Sequence, residues 1–341
     1  MHVSSRLLCV GKQRQQTGGA LIIFFLVVVL ASTSFLFSSL TGSNVRNEQK
    51  KQTAEVLAEA KAALIGYAIT YDDTHSGELF GYLPCPDTSA TDPNGEGSQS
   101  ICGNLGVSVL GRLPWKTLKA SPLKDGYGEC LWYAVSGSYK NNPKTGGLSR
   151  DTSGFLEVLA AEGGSYLTDP EDPAVAVVFA PGPPLVGQSR VGDGNAMYCG
   201  GNYVAYNYLD KDVHTSVHNA TVSSVPNAKS TFIAALNSSH TASDEDSFND
   251  RLIIIKRSEI FASYCKKYAN TLLTLMADAK NGFISNGSQE TITQASDNLQ
   301  NYCAAQECKD AAQTLLTPQC STDITAEDCQ GTIDDLKACN G

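Results

Sequence analysis

The longest feature of the hydrophobic pattern is an uncharged apolar run over residues 20–40, which follows a short basic segment and the pair Gly18 and Gly19. Its length matches the roughly 20 residues with which an α-helix crosses the hydrocarbon core of a bilayer. Leu, Ile, Val and Phe make up most of the run, and these residues favour insertion into a membrane. The pattern therefore predicts a transmembrane helix over residues 20–40.

Beyond residue 44 the pattern changes to that of an amphipathic helix. Between Arg46 and Tyr71 the chain is rich in Ala, Glu and Lys, and apolar residues return every three or four positions. This spacing places them on one helix face, which needs a surface to pack on. The sequence thus predicts an N-terminal helix over residues 19–71, packed on a sheet of the same chain or on neighbouring copies. The apolar positions are Val56, Ala60, Ala63, Leu64, Tyr67 and Ala68.

Residues 72–257 have the pattern of a β-rich region with long loops. Gly, Ser, Asp, Asn and Pro predominate from residue 72 to residue 105, which indicates irregular surface loop. Short apolar segments rich in β-branched and aromatic residues follow, and turn residues bound them, so they are predicted to be strands. These segments are residues 107–110, 130–136, 174–180 and 251–256. One helix laid on such strands predicts an α+β domain.

From Ser258 onward the pattern is helical. Ser258 is a candidate N-cap, apolar residues recur at helical spacing as far as Ala279, and Asn281 with Gly282 forms a stop signal. Further helical stretches lie near 290–305, 307–316 and 326–338. Six cysteines fall in this part of the chain. The sequence predicts a compact helical subdomain over residues 258–341 that disulfides hold together.

Six further segments resemble a group of large bacterial prepilin-like proteins in the type IV pilin and type II secretion pseudopilin superfamily. They are AKAALIGYAI (60–69), GYLPCPD (81–87), GRLPW (111–115), DGYGECLWYAVS (125–136), FAPGPPLVGQ (179–188) and FNDRLIII (248–255). The basic leader, the glycine junction and the apolar helix are similar to those of the same superfamily. The resemblance implies a pilin-like fold, in which the long N-terminal helix packs on an antiparallel β-sheet.

The resemblance also implies processing and assembly. Prepilin peptidase would remove the leader, residues 1–18, by cutting after Gly18, with a cut after Gly19 as the alternative. The new N-terminus, Gly19 or Ala20, would then be methylated. The protein would sit in the bacterial inner membrane with a cytoplasmic N-terminus and a periplasmic globular part. Its partners would be inner-membrane lipid and other pilin or pseudopilin subunits.

One position departs from the pattern of bulk pilins. Those proteins usually carry Glu at the fifth mature position, where this chain has Ile23, or Phe24 for the later cut. A carboxylate in lipid is costly unless it is paired, so its absence removes both the cost and the pairing signal. The departure favours a minor component that acts at a filament tip or in the initiation of assembly. The alternative is a membrane-anchored or secreted binding protein or adhesin outside any filament. The secreted form would have a secretory signal cleaved near Ala31.

The cysteines indicate an oxidising compartment beyond the apolar run. Cys9 precedes the run and the other ten follow it, an even number that suits disulfides. Fifteen pairings are open to the last six, and sequence does not choose among them. Closure of short loops favours Cys85–Cys102, Cys303–Cys308 and Cys320–Cys329, which leaves Cys130 for Cys199 and Cys265 for Cys339.

Charge disfavours nucleic acid as a partner. The chain has a net charge of −10, and its first 47 residues carry four basic and no acidic side chains, so residues 48–341 carry −14. Such an acidic exterior repels phosphate backbones.

A calcium loop is the one cofactor site that the sequence suggests. Asp92, Asn94 and Glu96 place oxygen-bearing side chains at alternate positions, and Gly97 follows, as in the first half of such a loop. The twelfth position is Gly103, so the bidentate Glu of an EF-hand is missing. An acidic surface turn is the competing interpretation.

Enzyme signatures are absent from the sequence. No Gly-x-Ser-x-Gly, Gly-x-Gly-x-x-Gly or Walker segment occurs, and no Glu follows His214 before His218 as a zinc protease needs. We therefore expect a protein that is not an enzyme, with a periplasmic hydrolase as the third hypothesis. A group of aromatic residues has two interpretations, core packing or an exposed adhesive patch. Its members are Tyr82, Trp115, Tyr127, Trp132 and Tyr133.

Overall fold

The computed structural model describes residues 17–149, 151–160, 165–192, 194–234, 248–280 and 286–303. The chain divides into two compact units, Met1–Lys50 and Lys51–Gly341. One helix, α1, has residues in both, because it begins at Thr17 and ends at Ile69.

In the first unit the described residues belong to α1, and the predicted span over residues 20–40 lies within this helix. Apart from Phe25 and Val28, the side chains of residues 20–40 are outside the description. Among the side chains that the structure does describe, no helix is long and apolar enough to cross a membrane. The transmembrane helix therefore stays a prediction.

The second unit contains the last part of α1, from Lys51 to Ile69. Every third or fourth residue there is buried, and the buried set is Val56, Leu57, Ala60, Leu64 and Ala68. This spacing forms one apolar face. The face packs in a core cluster with Tyr133, Val135 and Val178 of the sheet. A short helix, α2 (Tyr71–Thr74), follows α1 directly.

Among the described residues the sheet has six strands. Five follow the order β1-β2-β4-β3-β5, and β6 also pairs with β4. The strands are β1 (Val109–Arg112), β2 (Trp132–Val135), β3 (Leu156–Ala160), β4 (Ala174–Ala180), β5 (Ser230–Ala234) and β6 (Arg251–Lys256). All seven residues of β4 are buried, because α1 covers one face of the sheet and a layer of loops covers the other. Such a doubly covered strand is a continuous apolar run rather than an alternating one.

The sheet is mixed, whereas the resemblance implied an antiparallel one. β3 pairs with β5 in parallel from Leu156 with Ser230 to Ala160 with Ala234, while the other pairs are antiparallel. A parallel pair needs a long crossover connection. Here β4 and residues 181–229 lie between the two strands, and this is enough chain to bring β5 back in the direction of β3.

We call residues 181–192 and 194–229 the loop layer. It covers the face of the sheet opposite to α1, where Tyr208 and Leu209 pack with Trp132, Phe179 and Phe232. Ring centroids lie 5.2 Å apart for Trp132 and Tyr208, within the range of favourable aromatic pairs. The second unit thus has three layers: the helix, the sheet and the loop layer.

Two helices follow β6. The first, α3 (Arg257–Lys280), packs against the second, α4 (Asn286–Tyr302). The start of α3 also packs near the end of α1: the ring of Tyr264 stacks on that of Phe80, and Lys267 Nζ donates to Ile69 O. The helices predicted near 307–316 and 326–338 lie outside the described residues.

Candidate functional site

The predicted processing residues lie in the first turn of α1. The helix begins at Thr17, so Gly18, Gly19 and Ala20 are its next three residues. A cut after Gly18 or Gly19 would leave nearly the whole of α1 on the mature chain.

Two disulfides hold loops to the sheet region. Cys85 is bonded to Cys102 and Cys130 to Cys199, with Cα atoms 5.7 Å and 5.6 Å apart. The sequence predicted both pairs, the first as the closure of a short loop and the second as the pair that remained. The second bond joins residues 69 positions apart and ties the loop layer to the residue two places before β2.

The third disulfide corrects the predicted pairing. Cys265 is bonded to Cys303, so the predicted pairs Cys265–Cys339 and Cys303–Cys308 are wrong. The physical reason is the packing of α3 on α4. Cys265 lies near the start of α3 and Cys303 directly follows α4, and two packed helices that run back on each other bring these ends together. The predicted pair Cys320–Cys329 lies outside the described residues.

The candidate calcium ligands differ in their surroundings. Glu96 is buried, and its carboxylate accepts hydrogen bonds from the N–H groups of Tyr198 and Cys199. Asn94 is exposed and Asp92 is half-buried. Among the described residues no group of three or more His, Cys, Asp or Glu side chains is placed to hold a metal ion. Glu96 instead anchors the loop layer.

Arg112, the last residue of β1, is the centre of that anchorage. Its side chain is only 3% exposed, and Nη2 donates to Gly200 O at 2.7 Å and Asn202 O at 2.9 Å. The guanidinium carbon lies 4.5 Å from the ring centroid of Tyr203, and Nη1 lies 3.9 Å from Glu96 Oε1. Stacking and a nearby carboxylate both favour a buried guanidinium group.

A second buried acid, Asp87, closes the same region. Its carboxylate accepts from the Gly97 N–H and from the Tyr203 hydroxyl, both at 2.7 Å. Burial raises the pKa of Asp87, and these two donors oppose the rise. Burial and the neighbouring Asp87 raise the pKa of Tyr203, so its hydroxyl stays a proton donor.

At the other side of the loop layer two aspartates bind each other's backbone. Asp250 Oδ2 accepts from the Asp210 N–H, and Asp210 Oδ2 accepts from the Asp250 N–H. Asn219 Nδ2 also donates to Asp250, and Gln188 Nε2 donates to Asp210. Burial raises the pKa of Asp210 to about 6. Burial and the adjacent Asp210 raise the pKa of Asp250 well above its ordinary value.

The outer side of the loop layer carries large apolar side chains. We call eight of them, each at least 44% exposed, the exposed apolar set: Val186, Val191, Met197, Tyr198, Val204, Tyr206, Val213 and Val225. Asn202 fixes two of these positions, because its Nδ2 donates to Val191 O and its Oδ1 accepts from the Val204 N–H. A contiguous apolar patch marks an interaction surface, whereas single exposed apolar side chains are common on protein surfaces.

No family model, curated protein or solved structure matches this chain. The resemblance to prepilin-like proteins therefore rests on the sequence segments alone.

The aromatic residues singled out in the sequence are mostly core. Tyr82, Trp115, Trp132 and Tyr133 are buried, and Tyr127 alone among the five is exposed. The exposed aromatic side chains of the loop layer are instead Tyr198 and Tyr206, which the hydrophobic pattern did not indicate because they stand in an irregular region.

His214 and His218 differ in their surroundings. His214 is exposed, whereas His218 is half-buried with its ring 4.5 Å from that of Tyr206. His218 Nδ1 accepts from the Ala220 N–H, so the ring closes a local turn. The anchors Arg112 and Asp250 were not singled out as residues, although both stand inside segments quoted for the resemblance, GRLPW and FNDRLIII.

Proposed function

We propose that the chain is a minor pilin-like or pseudopilin-like component of a type IV pilus or type II secretion filament, acting at its tip or in the initiation of assembly. The observation that carries the proposal is the composition of α1 along its length. A single helix joins an uncharged apolar sequence of membrane-spanning length to an amphipathic stretch that packs on the sheet. This combination suits a subunit that is held in a membrane before its helix packs with others.

The partners follow from this proposal. Prepilin peptidase would act after Gly18 or Gly19, and the apolar part of α1 would contact lipid and then the helices of neighbouring subunits. Packing between helices in lipid depends on van der Waals contact rather than on a hydrophobic driving force. Ile23 supplies no charge for pairing with a neighbour, which supports a minor position.

The three disulfides among the described residues support a periplasmic location for the second unit. Bonds that join residues 17, 69 and 38 positions apart persist in an oxidising space and rarely form in a bacterial cytosol. Inner-membrane anchorage with the N-terminus in the cytoplasm would leave this unit outside the cytoplasm.

Mass spectrometry of the mature N-terminus tests the proposal. The chain is produced in a bacterium that has a prepilin peptidase, and its first peptide is sequenced. We expect a methylated N-terminus at Gly19, or at Ala20 for the later cut. A strain without the peptidase is the control and should leave residues 1–18 attached. An intact N-terminus in both strains, or cleavage within residues 30–42, would contradict the proposal.

A second function is favoured by the exposed apolar set. A membrane-anchored or secreted binding protein outside any filament would also present such side chains on a fixed backbone. Crosslinking in membranes separates the two. Crosslinks from cysteines placed in the first half of α1 to another helical subunit favour the filament component, and crosslinks from the loop layer alone favour the binding protein.

A further inference from the structure

A cavity of about 450 Å³ lies at the start of β3, beside Ser153. Residues between Tyr166 and Pro173 line it together with the start of β3 and with Lys229, the residue before β5. Its volume falls within the range of small-molecule sites. None of its lining residues belongs to α1, and Lys229, the last residue of the loop layer, is the one lining residue from that layer.

The walls of the cavity are held by bonds within the protein. Asp169 O accepts from the Asp172 N–H at 3.1 Å, which closes the turn. Asp172 in turn accepts from Ser258 N–H and Oγ, and so fastens the turn to the start of α3. On the other wall Gly154 is needed as glycine, because a Cβ there would lie 2.1 Å from Ala174 O. The cavity is therefore formed before any ligand arrives.

The lining combines apolar and charged side chains, and the acid Asp169 is exposed. The apolar members are Phe155, Leu156, Tyr166, Pro170 and Pro173. Three charged side chains line it as well: Glu157, Asp169 and Lys229. Lys229 Nζ is 2.5 Å from Glu157 Oε1, so these two charges balance each other. Asp169 takes part in no ion pair with the residues that the structure describes, and its Oδ1 accepts only a backbone N–H, that of Glu171.

The charged side chains that line the cavity thus carry a net charge of one carboxylate, that of Asp169. Outside the lining, Glu171 and Asp172 follow on the turn, and the guanidinium group of Arg257, whose Nη2 donates to Glu171 O at 2.7 Å, offsets part of their charge. Residues 48–341 are acidic overall. A cation gains from this potential, while an anion is repelled. Apolar walls that include the ring of Tyr166 add contact area for an apolar group.

We propose that this cavity binds a small amphipathic cation, whose apolar body packs between Phe155, Pro170 and Tyr166 and whose ammonium group pairs with Asp169. An arylalkyl amine has this chemistry. The proposal does not depend on the filament function, since the site is formed by the second unit alone.

Three indole compounds of similar shape test the charge. Tryptamine is cationic, tryptophol is neutral and indole-3-propionate is anionic, and each is titrated into the full chain by calorimetry. We expect tryptamine to bind at least ~10-fold more tightly than tryptophol, and indole-3-propionate to bind most weakly. Equal affinities for the three compounds, or no binding of tryptamine, would overturn the proposal.

Variants locate the binding. Asp169→Asn keeps an oxygen to accept the Glu171 N–H but removes the charge, so tryptamine affinity should fall about 10-fold toward that of tryptophol. Ser153→Phe places a large ring in the cavity and should abolish binding of both compounds. Glu171→Gln is the matched control, since this acid lies on the same turn outside the lining. If the tryptamine affinity is unchanged in both Asp169→Asn and Ser153→Phe, tryptamine binds elsewhere on the surface and the proposal is wrong.

Thermal unfolding shows whether each variant is folded, so that a loss of affinity can be assigned to the cavity. All three variants should unfold cooperatively, with midpoints within a few degrees of the parent chain. If Ser153→Phe does not fold, Asp169→Asn decides by the ratio of tryptamine to tryptophol affinity, because a merely structural change would lower both affinities together.

Discussion

Arg112 carries its charge on a side chain that is 3% exposed, and its guanidinium group reaches two carbonyl oxygens and the Tyr208 hydroxyl of the loop layer. Glu96 and Asp87 lie beside it, each bound by backbone N–H groups. A buried cation among buried acids fixes one arrangement of loop and sheet, because removing it leaves the acids without their partner.

Arg112→Met should therefore destabilise the chain by about 3–5 kcal/mol, the usual cost of leaving a buried charge unpaired. Urea unfolding measures the change. Lys266→Met, at an exposed position on α3, is the control and should change stability by less than about 0.5 kcal/mol. A loss below about 1 kcal/mol in Arg112→Met would mean that the loop layer holds without this cation.

The paired aspartates predict a dependence on pH. Both carboxyl groups bind protons more tightly in the folded chain, since burial raises the pKa of Asp210 to about 6 and that of Asp250 further. The stability that they contribute is complete below about pH 4 and is lost as the pH rises through 6. Asp250→Asn imitates the protonated acid, because Oδ2 is the acceptor of both hydrogen bonds and Oδ1 has no partner in the structure.

We expect Asp250→Asn to lose less stability than the parent chain between pH 4 and pH 7, as measured by urea unfolding at each pH. Asp151→Asn, at an exposed position, should follow the parent curve. A parent chain that gains stability over this range relative to Asp250→Asn would contradict the assignment of raised pKa values.

At the scale of elements, β6 is an edge strand whose outer side is blocked. Lys61 Nζ, from α1, donates to Ile254 O at 2.8 Å, and Glu259 Oε2, from α3, accepts from the Lys256 N–H at 2.8 Å. The two side chains also pair with each other at 2.5 Å. Charges placed on an exposed edge hinder pairing with another chain. Because three elements meet here, the ion pair protects the strand and fastens both helices to it.

The double variant Lys61→Ala with Glu259→Ala should expose this edge and promote self-association, which light scattering detects at raised concentration. Each single variant should lose about 0.5–1 kcal/mol of stability, because both side chains are only partly exposed. Removing the exposed pair of Lys51 and Glu55 is the control and should leave the scattering unchanged. Equal scattering from both double variants would show that the Lys61–Glu259 ion pair is not needed to prevent self-association through β6.

Sequence predicted the elements whose pattern is long or doubly buried. The apolar spacing of α1 and α3 and the seven-residue run of β4 carry enough signal alone. β3 and β5 were missed because polar side chains such as Glu157 and Thr231 interrupt their apolar character, whereas the shorter strand β2 was predicted from an uninterrupted apolar run. The anchors of the loop layer, Arg112 and Asp250, were missed for another reason. They acquire their partners only when the loop layer folds back over the sheet, and the sequence of that layer has no hydrophobic periodicity from which its course could be predicted.

At the scale of the whole molecule, the chain depends on α1 for folding as well as for its proposed anchorage. Val56, Leu57 and Leu64 are buried against the sheet, and burying such side chains stabilises a protein by about 1.5–3 kcal/mol each. Together they contribute as much as the net stability of a typical domain, about 5–15 kcal/mol. The second unit should therefore need the last part of α1 even though the apolar run lies outside it.

Two fragments separate these roles. A fragment that begins at Lys51 keeps the buried face of α1 and should unfold cooperatively with its disulfides formed, whereas a fragment that begins at Tyr71 should not fold. Circular dichroism on heating and counting of free thiols measure both outcomes. Leu64→Asp in the longer fragment is a further check, because a carboxylate in this fully buried position should abolish cooperative unfolding as well. A cooperative transition in the fragment from Tyr71 would show that the sheet and loop layer are stable without the helix, and that α1 serves anchorage alone.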